Sequence, residues 1–364
     1  MVTRGASAEA LATNYQMLRR ALLGWLAVLA VAASASGQAS TQTCTAPRIV
    51  IGCWQLLERH DDPELAVETL LAYVRAGFTH FDTADIYGAS ESLLGEARRR
   101  LPDQQAPIIH TKYVTQDAGA KNARSINGKS RAALHQAPDL VAFHWWDYSD
   151  PRFVDAAQHL VTLRDEGSLN HIGACNFDVP HLRRLVQAEI PLVSNQVQYS
   201  LLDRRPENGM LDFAAQNRIQ LACFGAVGGG WLSDKWLGAA APPRQASTVS
   251  MRMYRRSLEA WSGGNWQLFQ ELLRTLRAIA DAHEGGTIAA VAVAWVQFQL
   301  TRPRADGTPG PRGWVILGVR DTSHLEEHVR TKDLTLNDQE DSLIAAVLAK
   351  GHAPEGDIWS VERG

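Results

Sequence analysis

The sequence predicts a (β/α)8 barrel of the TIM type, and three observations predict it. From Pro47 onward, apolar strand-like runs alternate with stretches of helical periodicity, the pattern of a parallel sheet covered by helices. Eight such runs occur, the number that closes a parallel barrel. Three of them, HFDTADIYG (His80 to Gly88), IIHTKY (Ile108 to Tyr113) and LVAFHWWDY (Leu140 to Tyr148), lie roughly thirty residues apart, about one strand-plus-helix unit. Each ends in a side chain able to move or bias a proton: Asp82 and Tyr87, Lys112, His144. A closed barrel brings such strand ends to one rim.

The elements follow in order. Residues 48–54 read as strand one, and 63–77 as a helix with Leu65, Val67, Leu70, Leu71, Tyr73 and Val74 on one face and Gly77 as its stop. HFDTA is strand two, with a helix over 90–101, and strand three ends at Lys112. Residues 123–136 make a poor helix, interrupted by Gly128, before strand four at 139–144. A helix at 151–167, strand five at 171–176, a helix at 179–189, strand six at 192–197, a helix at 210–218 and strand seven at 219–225 continue the alternation. Residues 226–266 form a long, Gly-rich, Trp-containing connection of the kind that serves as a lid or binding loop. The run at Trp266 belongs either to that lid or to the outer packing. Helices resume at 266–283 and 287–300, and 302–313 is a loop by its Pro and Gly content. Strand eight spans 313–320, a helix begins at Ser323, and a terminal helix covers 337–351.

Composition bounds the function. The 364 residues are 45% hydrophobic and 21% charged, with a net charge of −3 and no long run of one sign, so nothing draws the chain to nucleic acid or an anionic membrane. Cysteines stand at 44, 53, 175 and 223 with no CxxC pair, which argues against a zinc or redox motif. Cys53, Cys175 and Cys223 sit in or at the ends of apolar runs and read as buried free thiols. The first 46 residues stand apart from the barrel at 47–364. Arg19 and Arg20, an apolar run and Ala33-Ser34-Ala35 describe a secretory-type signal cleaved before Ser36, with an uncleaved anchor as the alternative. The acid-free stretch 37–48 suits organelle import behind such a signal.

The order DTAxxYG, TK, FHW, IGxxNF, SNQ, a Gly-rich stretch and VILGVR resembles the aldo-keto reductase superfamily over about Arg48 to Val329. Within it the chain resembles the subgroup that carries HWWDY with SNQVQ and a D-x-R-P at Asp203, Arg205 and Pro206, reductases of algae, plants and bacteria. The resemblance implies roles. Tyr87 matches the general acid, Lys112 the ammonium that lowers the phenol's pKa, Asp82 the carboxylate that pairs with that ammonium, and His144 the residue that orients the substrate carbonyl. Phe224 matches the aromatic beneath the nicotinamide, and Asn176 and Gln196 the pair on its carboxamide, with Cys175 where relatives carry serine. Gly225, Val227, Gly228 and Gly229 match the loop at the pyrophosphate. Gly318, Arg320, His324, Glu327 and His328 match the grip on the adenosine half, with Arg320 suited to a 2′-phosphate. Relatives have Gln or Arg at the His324 position and Asn at the His328 position. Trp54 and Trp145 are expected to wall the substrate pocket, with Trp146 and Tyr148 as further candidates.

The resemblance thus implies an NADP(H)-dependent reductase of a small carbonyl compound, or the reverse alcohol dehydrogenase, with NAD left open and no metal. The competing reading is a cofactor-binding regulatory subunit similar to potassium-channel β subunits, with little turnover. A metal-dependent barrel hydrolase is opposed by Lys112 beside Asp82 and His144. The segment ahead of the barrel, the lack of disulfide patterning and the NADP(H) reading together imply a reducing organelle such as a plastid, or the cytoplasm if that segment is unused. Substrate identity, reaction direction and oligomeric state stay open.

Overall fold

The computed structural model describes residues 48–56, 62–242 and 249–360, and the signal-like segment, the linker and Cys44 lie outside these described residues. The strands are β1 (Ile49–Gly52), β2 (His80–Asp82), β3 (Ile108–Thr115), β4 (Leu140–Trp145), β5 (His171–Cys175), β6 (Leu192–Gln198), β7 (Gln220–Phe224) and β8 (Gly313–Gly318). They pair in sequence order, all in parallel, and β8 returns to β1. The result is the closed (β/α)8 barrel that the alternation predicts.

Helices α1 (Pro63–Arg75), α2 (Ser90–Arg99), α3 (Ala120–Ala133), α4 (Phe153–Asp165), α5 (Val179–Gln187) and α6 (Met210–Gln216) cover the first strands. Then come α7 (Val249–Ser262), α8 (Trp266–Asp281), α9 (Ile288–Thr301), α10 (Leu325–Thr331) and α11 (Asp338–Leu348). Their starts are chemically marked. Asp62, Asp178, Asn265 and Thr287 accept backbone N–H groups of α1, α5, α8 and α9, and Asn337 with Glu340 forms a capping box on α11.

Alternation along the strands sorts side chains into two layers. Phe81, Ile109, Tyr113, Val141 and Phe143 face the helices in the main core, while Val50, Ala222, Trp314 and Ile316 form a separate apolar cluster inside the barrel. Leu140, Ala142 and Cys175 form a second inner cluster. Asp82, Lys112 and His144 share the inward parity. Cys53, Cys175 and Cys223 are buried free thiols, as their apolar settings suggest. No helix among the described residues is long and apolar enough to cross a membrane.

Four local expectations are corrected. Strand β3 does not stop at Lys112 but pairs with β4 as far as Thr115, opposite Trp145. Helix α3 runs unbroken through Gly128, because burial of Ala123, Asn127 and Ser130 outweighs one unfavourable glycine. The connection 226–266 contains α7, whose Met251, Tyr254, Leu258 and Trp261 are buried at helical spacing. Leu65 is 53% exposed, and Ala66 and Thr69 fill the buried face of α1 in its place. Trp266 belongs to the packing under the lid: its ring lies 6.2 Å from both Trp231 and Trp236 and 5.0 Å from Phe269.

Candidate active site

Asp82 closes β2 inside the barrel, paired in register with His110, so Lys112 two residues further along β3 points the same way. The Lys112 ammonium donates to Asp82 Oδ1 and to the Thr83 carbonyl, both at 2.7 Å. The amide of Gln196 donates to the other carboxylate oxygen, Asp82 Oδ2, at 2.6 Å, and the Cys175 thiol donates to Gln196 Oε1 at 3.7 Å. Lys112 and Asp82 are both almost fully buried. Burial pulls the ammonium down, but the Asp82 charge and hydrogen bond offset it and hold Lys112 above the usual lysine range. A buried ion pair is a weak source of stability, because desolvation cancels much of its attraction. Its presence at the strand ends inside the barrel points to chemistry.

Tyr87 stands in the turn after β2, with the Lys112 ammonium 4.8 Å from its ring centroid. Burial raises the phenol above its ordinary value, and Lys112 pulls against that rise without reversing it. The expectation of a net lowered phenol is thereby corrected: the lysine acts in the expected direction, and desolvation is the larger effect. His144 lies inside the barrel on β4, and the Trp146 ring stacks on it at 4.8 Å and 23°. Trp359, from the tail after α11, meets the same imidazole edge-on at 6.1 Å.

The aromatic wall differs from expectation by one residue. Trp145 has outward parity: it is fully buried, lies 6.0 Å from Phe143, and donates its indole N–H to the Asp147 carbonyl at 2.6 Å. It is a core residue, and its neighbour Trp146 faces the site. Trp54 follows β1 and is 42% exposed. Tyr148 donates to the Asn176 carbonyl at 3.2 Å and stacks on His181 at 3.7 Å, which fixes the loop after β5.

Asn176 is buried and adopts φ +59°. Phe224 ends β7 with a half-buried ring, 6.4 Å from Trp359. Gly225 and Gly229 have φ of +76° and +64°, and a Cβ on either would fall 2.6 or 2.5 Å from the Tyr254 ring. These two glycines therefore let α7 close on the loop, whatever the loop binds. Gly228, with φ +57°, abuts Leu202, and Val227 is half-buried beside it. At the end of β8, Gly318 is exposed and a Cβ there would meet only Gln55, at 3.8 Å. Arg320 is half-buried. His324 pairs with Glu327 at 3.2 Å, Thr287 donates to Glu327 at 2.7 Å, and His328 Nδ1 lies 3.1 Å from the Tyr73 hydroxyl. The hydrogen bond to Glu327 raises His324, while burial pushes His328 down to about 4 and keeps it neutral.

The model of the Aldo/keto reductase family matches residues 48–349, the whole barrel. The chain belongs to the aldo/keto reductase family. Members of this family are nicotinamide-dependent oxidoreductases acting on carbonyl groups, and so is this one. Among its relatives, an aldo-keto reductase of Bacillus subtilis (strain 168) is 24% identical over 320 residues, 83% of this chain and 90% of that protein. The NADH-specific methylglyoxal reductase of Escherichia coli (strain K12) is 28% identical over 223 residues, 53% of this chain and 67% of its own. Among solved structures, the glycerol dehydrogenase of Gluconobacter oxydans superposes with a TM-score of 0.71 at 21% identity, covering 85% of this chain and 94% of that one. The aldo-keto reductase of Klebsiella pneumoniae in complex with NADPH gives 0.63 at 21%, covering 83% and 91%. At these identities the structural likeness is one of fold.

The residues of this aldo/keto reductase fit a dinucleotide. Phe224 offers an aromatic ring at the end of β7 beside the inner cluster of Trp314 and Ile316, Gly318 leaves β8 open to close approach, and Arg320 places a cation beyond it. Two residues of this rim escape sequence reasoning. Asp85 lies inside the motif that carries Tyr87, but nothing in the sequence says that this turn carboxylate is buried. Trp359 comes from a tail without periodicity, and no sequence signal ties it to the strand ends.

Proposed function

We propose that this chain reduces an aldehyde or ketone to the alcohol, or runs the reverse oxidation, with NADP(H) as its hydride partner and Tyr87 as the group that exchanges the proton. The observation that carries the reading is the buried Lys112–Asp82 pair with its ammonium against the Tyr87 ring. NADPH, when bound, supplies the hydride that arrives at the carbonyl carbon. Tyr87 Oη gives its proton to the carbonyl oxygen as negative charge develops there. Lys112 stabilises the phenolate left behind, and the neutral tyrosine is restored by a proton from solvent. Asp82 keeps the ammonium charged despite burial, and Gln196 fixes the second carboxylate oxygen so that the first stays on Lys112. His144, held between Trp146 and Trp359, orients the carbonyl oxygen toward Tyr87.

Phe224, Asn176 and Gln196 support the nicotinamide in this reading, Gly225, Val227 and Gly228 the pyrophosphate, and Gly318, Arg320, His324, Glu327 and His328 the adenosine half. Arg320 favours a 2′-phosphate and hence NADP(H). NAD remains the second cofactor to compare, since one relative is an NADH-specific reductase. The segment ahead of the barrel carries the further proposal of a secretory-routed organelle.

The test is turnover of NADPH with a panel of aldehydes by the wild type and Tyr87→Phe. The variant is expected to lose about 10²–10⁴-fold in kcat, the usual worth of a positioned proton donor, while its NADPH dissociation constant stays within about twofold. The same background rate for the two proteins would remove Tyr87 from the chemistry and favour the regulatory-subunit reading.

A further inference from the structure

One imidazole beyond β8 has its proton placed by its surroundings. His328, on α10, sets its Nδ1 3.1 Å from the hydroxyl of Tyr73, which lies on the buried face of α1. The two rings are 5.8 Å apart and tilted by 48°. Tyr73 is fully buried, and this nitrogen is the one hydrogen-bond partner of its hydroxyl among the described residues. Burial, helped by the charges of Asp321 and Glu327, raises the phenol and keeps it protonated. Burial also pushes His328 down to about 4, so the imidazole is neutral and carries a single proton.

Two arrangements of these protons exist, and one of them is satisfied. Were the imidazole proton on Nδ1, it would donate to Tyr73 Oη, and the phenol's own O–H would be left in the core without an acceptor. When the phenol donates to Nδ1 instead, that donor is paired and the imidazole proton sits on Nε2. Nε2 has no partner among the described residues, yet it is not one of the buried polar atoms left unpaired, so it opens to solvent. His328 therefore presents a fixed N–H to whatever docks beside it. The neighbouring carboxylate is already engaged: Glu327 Oε1 receives the Thr287 hydroxyl at 2.7 Å, and Oε2 the His324 imidazole at 3.2 Å. A purine always offers N7 as an acceptor, whereas position 6 separates adenine, whose amino group donates, from a 6-oxo base, whose oxygen accepts.

We propose that the Tyr73 hydroxyl locks His328 as an Nε2–H donor, so that this site reads a purine through its acceptor atoms alone and takes the hypoxanthine form of the dinucleotide as well as the adenine form. This rests on the proposed function, which gives His328 the adenosine half, and adds the rule by which that half recognises its base. His328 is a specificity-determining residue, and Tyr73 is the positioning residue behind it.

The experiment measures dissociation constants of NADPH and of its 6-oxo analogue, in which hypoxanthine replaces adenine, by quenching of tryptophan fluorescence. The wild type, Tyr73→Phe and His328→Asn are compared, and no turnover is needed. The wild type is expected to bind the two dinucleotides within about threefold of each other, less than the usual worth of a hydrogen bond that only one base can make. His328→Asn sets a carbonyl acceptor beside its amide donor and should favour NADPH by about fivefold to tenfold. Tyr73→Phe frees Nδ1 to take the proton and Nε2 to accept from the adenine amino group, and should move the ratio the same way by at least about threefold. A merely structural tyrosine would weaken both dinucleotides alike. A wild-type preference for NADPH beyond about threefold, or a ratio that either substitution moves by less than that, overturns the proposal and leaves the reductase reading standing. Binding of both dinucleotides in the expected ratios, with no turnover of any aldehyde, upholds the proposal and sinks the reductase reading. A wild type that binds neither dinucleotide sinks both.

Discussion

A single carboxyl near the proton donor has an outsized effect on how this molecule responds to pH. Asp85 sits two residues before Tyr87; its Oδ2 accepts the Val114 N–H at 3.3 Å, and its buried Oδ1 has no partner. Burial pushes this carboxyl up to about 7, with the Val114 N–H pulling down, Glu91 adding to the rise and Lys112 opposing it. An unfolded aspartate releases its proton near 4. Between about pH 4 and about pH 7 the folded state therefore binds more protons than the unfolded one, and stability falls as pH rises through that window. The full loss above it is on the order of 4 kcal/mol. Asp85→Asn keeps an acceptor for Val114 and removes the titration. Urea unfolding should find the variant more stable than the wild type at about pH 8 and no more stable at about pH 4. The same difference at both values would show that Asp85 does not titrate in this window. The contrast with its neighbours shows what a sequence reveals about a site. Asp82, Tyr87 and Lys112 are legible because each stands at a fixed place in a strand-end motif. The raised Asp85 carboxyl depends on what packs over a turn, and no motif records that. Trp145 and Trp146 differ only in strand parity, and the sequence alone offers the pocket either ring.

At the scale of elements, glycine marks where local preference and packing disagree. In α3 the sequence reads Gly128 as a break, since glycine is about 1 kcal/mol less favourable than alanine in a helix interior. The helix forms because its Ala123–Asn127–Ser130 face is buried, while a Cβ at Gly128 would meet nothing within 4 Å. Gly128→Ala is accordingly expected to raise unfolding free energy by about 0.5–1 kcal/mol without changing NADPH affinity. A urea midpoint that stays put or falls would mean that the position needs glycine for a reason other than space. The opposite case is Gly229, where a Cβ would collide with Tyr254 on α7. Helix α7 was itself legible in part: Met251, Tyr254, Leu258 and Trp261 recur at helical spacing. Flanking glycines and tryptophans make the surrounding connection read as a lid, and the contacts that hold α7 down are long-range.

For the molecule as a whole, the last helix bears on barrel closure. The β1–β8 seam joins the two ends of the barrel, and Arg48 at its edge donates to the carbonyls of Lys332 at 2.9 Å and Leu334 at 3.0 Å, just ahead of α11. Helix α11 is in turn held to α9 through one buried carboxylate. Asp341, 6% exposed, accepts from Trp295 Nε1 at 3.1 Å, Gln299 Nε2 at 2.7 Å and Arg302 Nη1 at 2.9 Å. Removing the carboxylate strands two buried neutral donors, and each costs about 1–3 kcal/mol when left unpaired. The Arg302 contact is half exposed and contributes less. Asp341→Ala should therefore lose about 2–4 kcal/mol of stability, and Asp341→Asn, which keeps an acceptor for the indole and the amide, clearly less. Chemical unfolding of both variants checks this, with NADPH binding to the folded protein as the control, since Asp341 takes no part in the proposed site. Equal losses in the two variants would mean that the charge on Asp341, and its reach to Arg302, holds the helix in place, and that the buried donors are satisfied elsewhere.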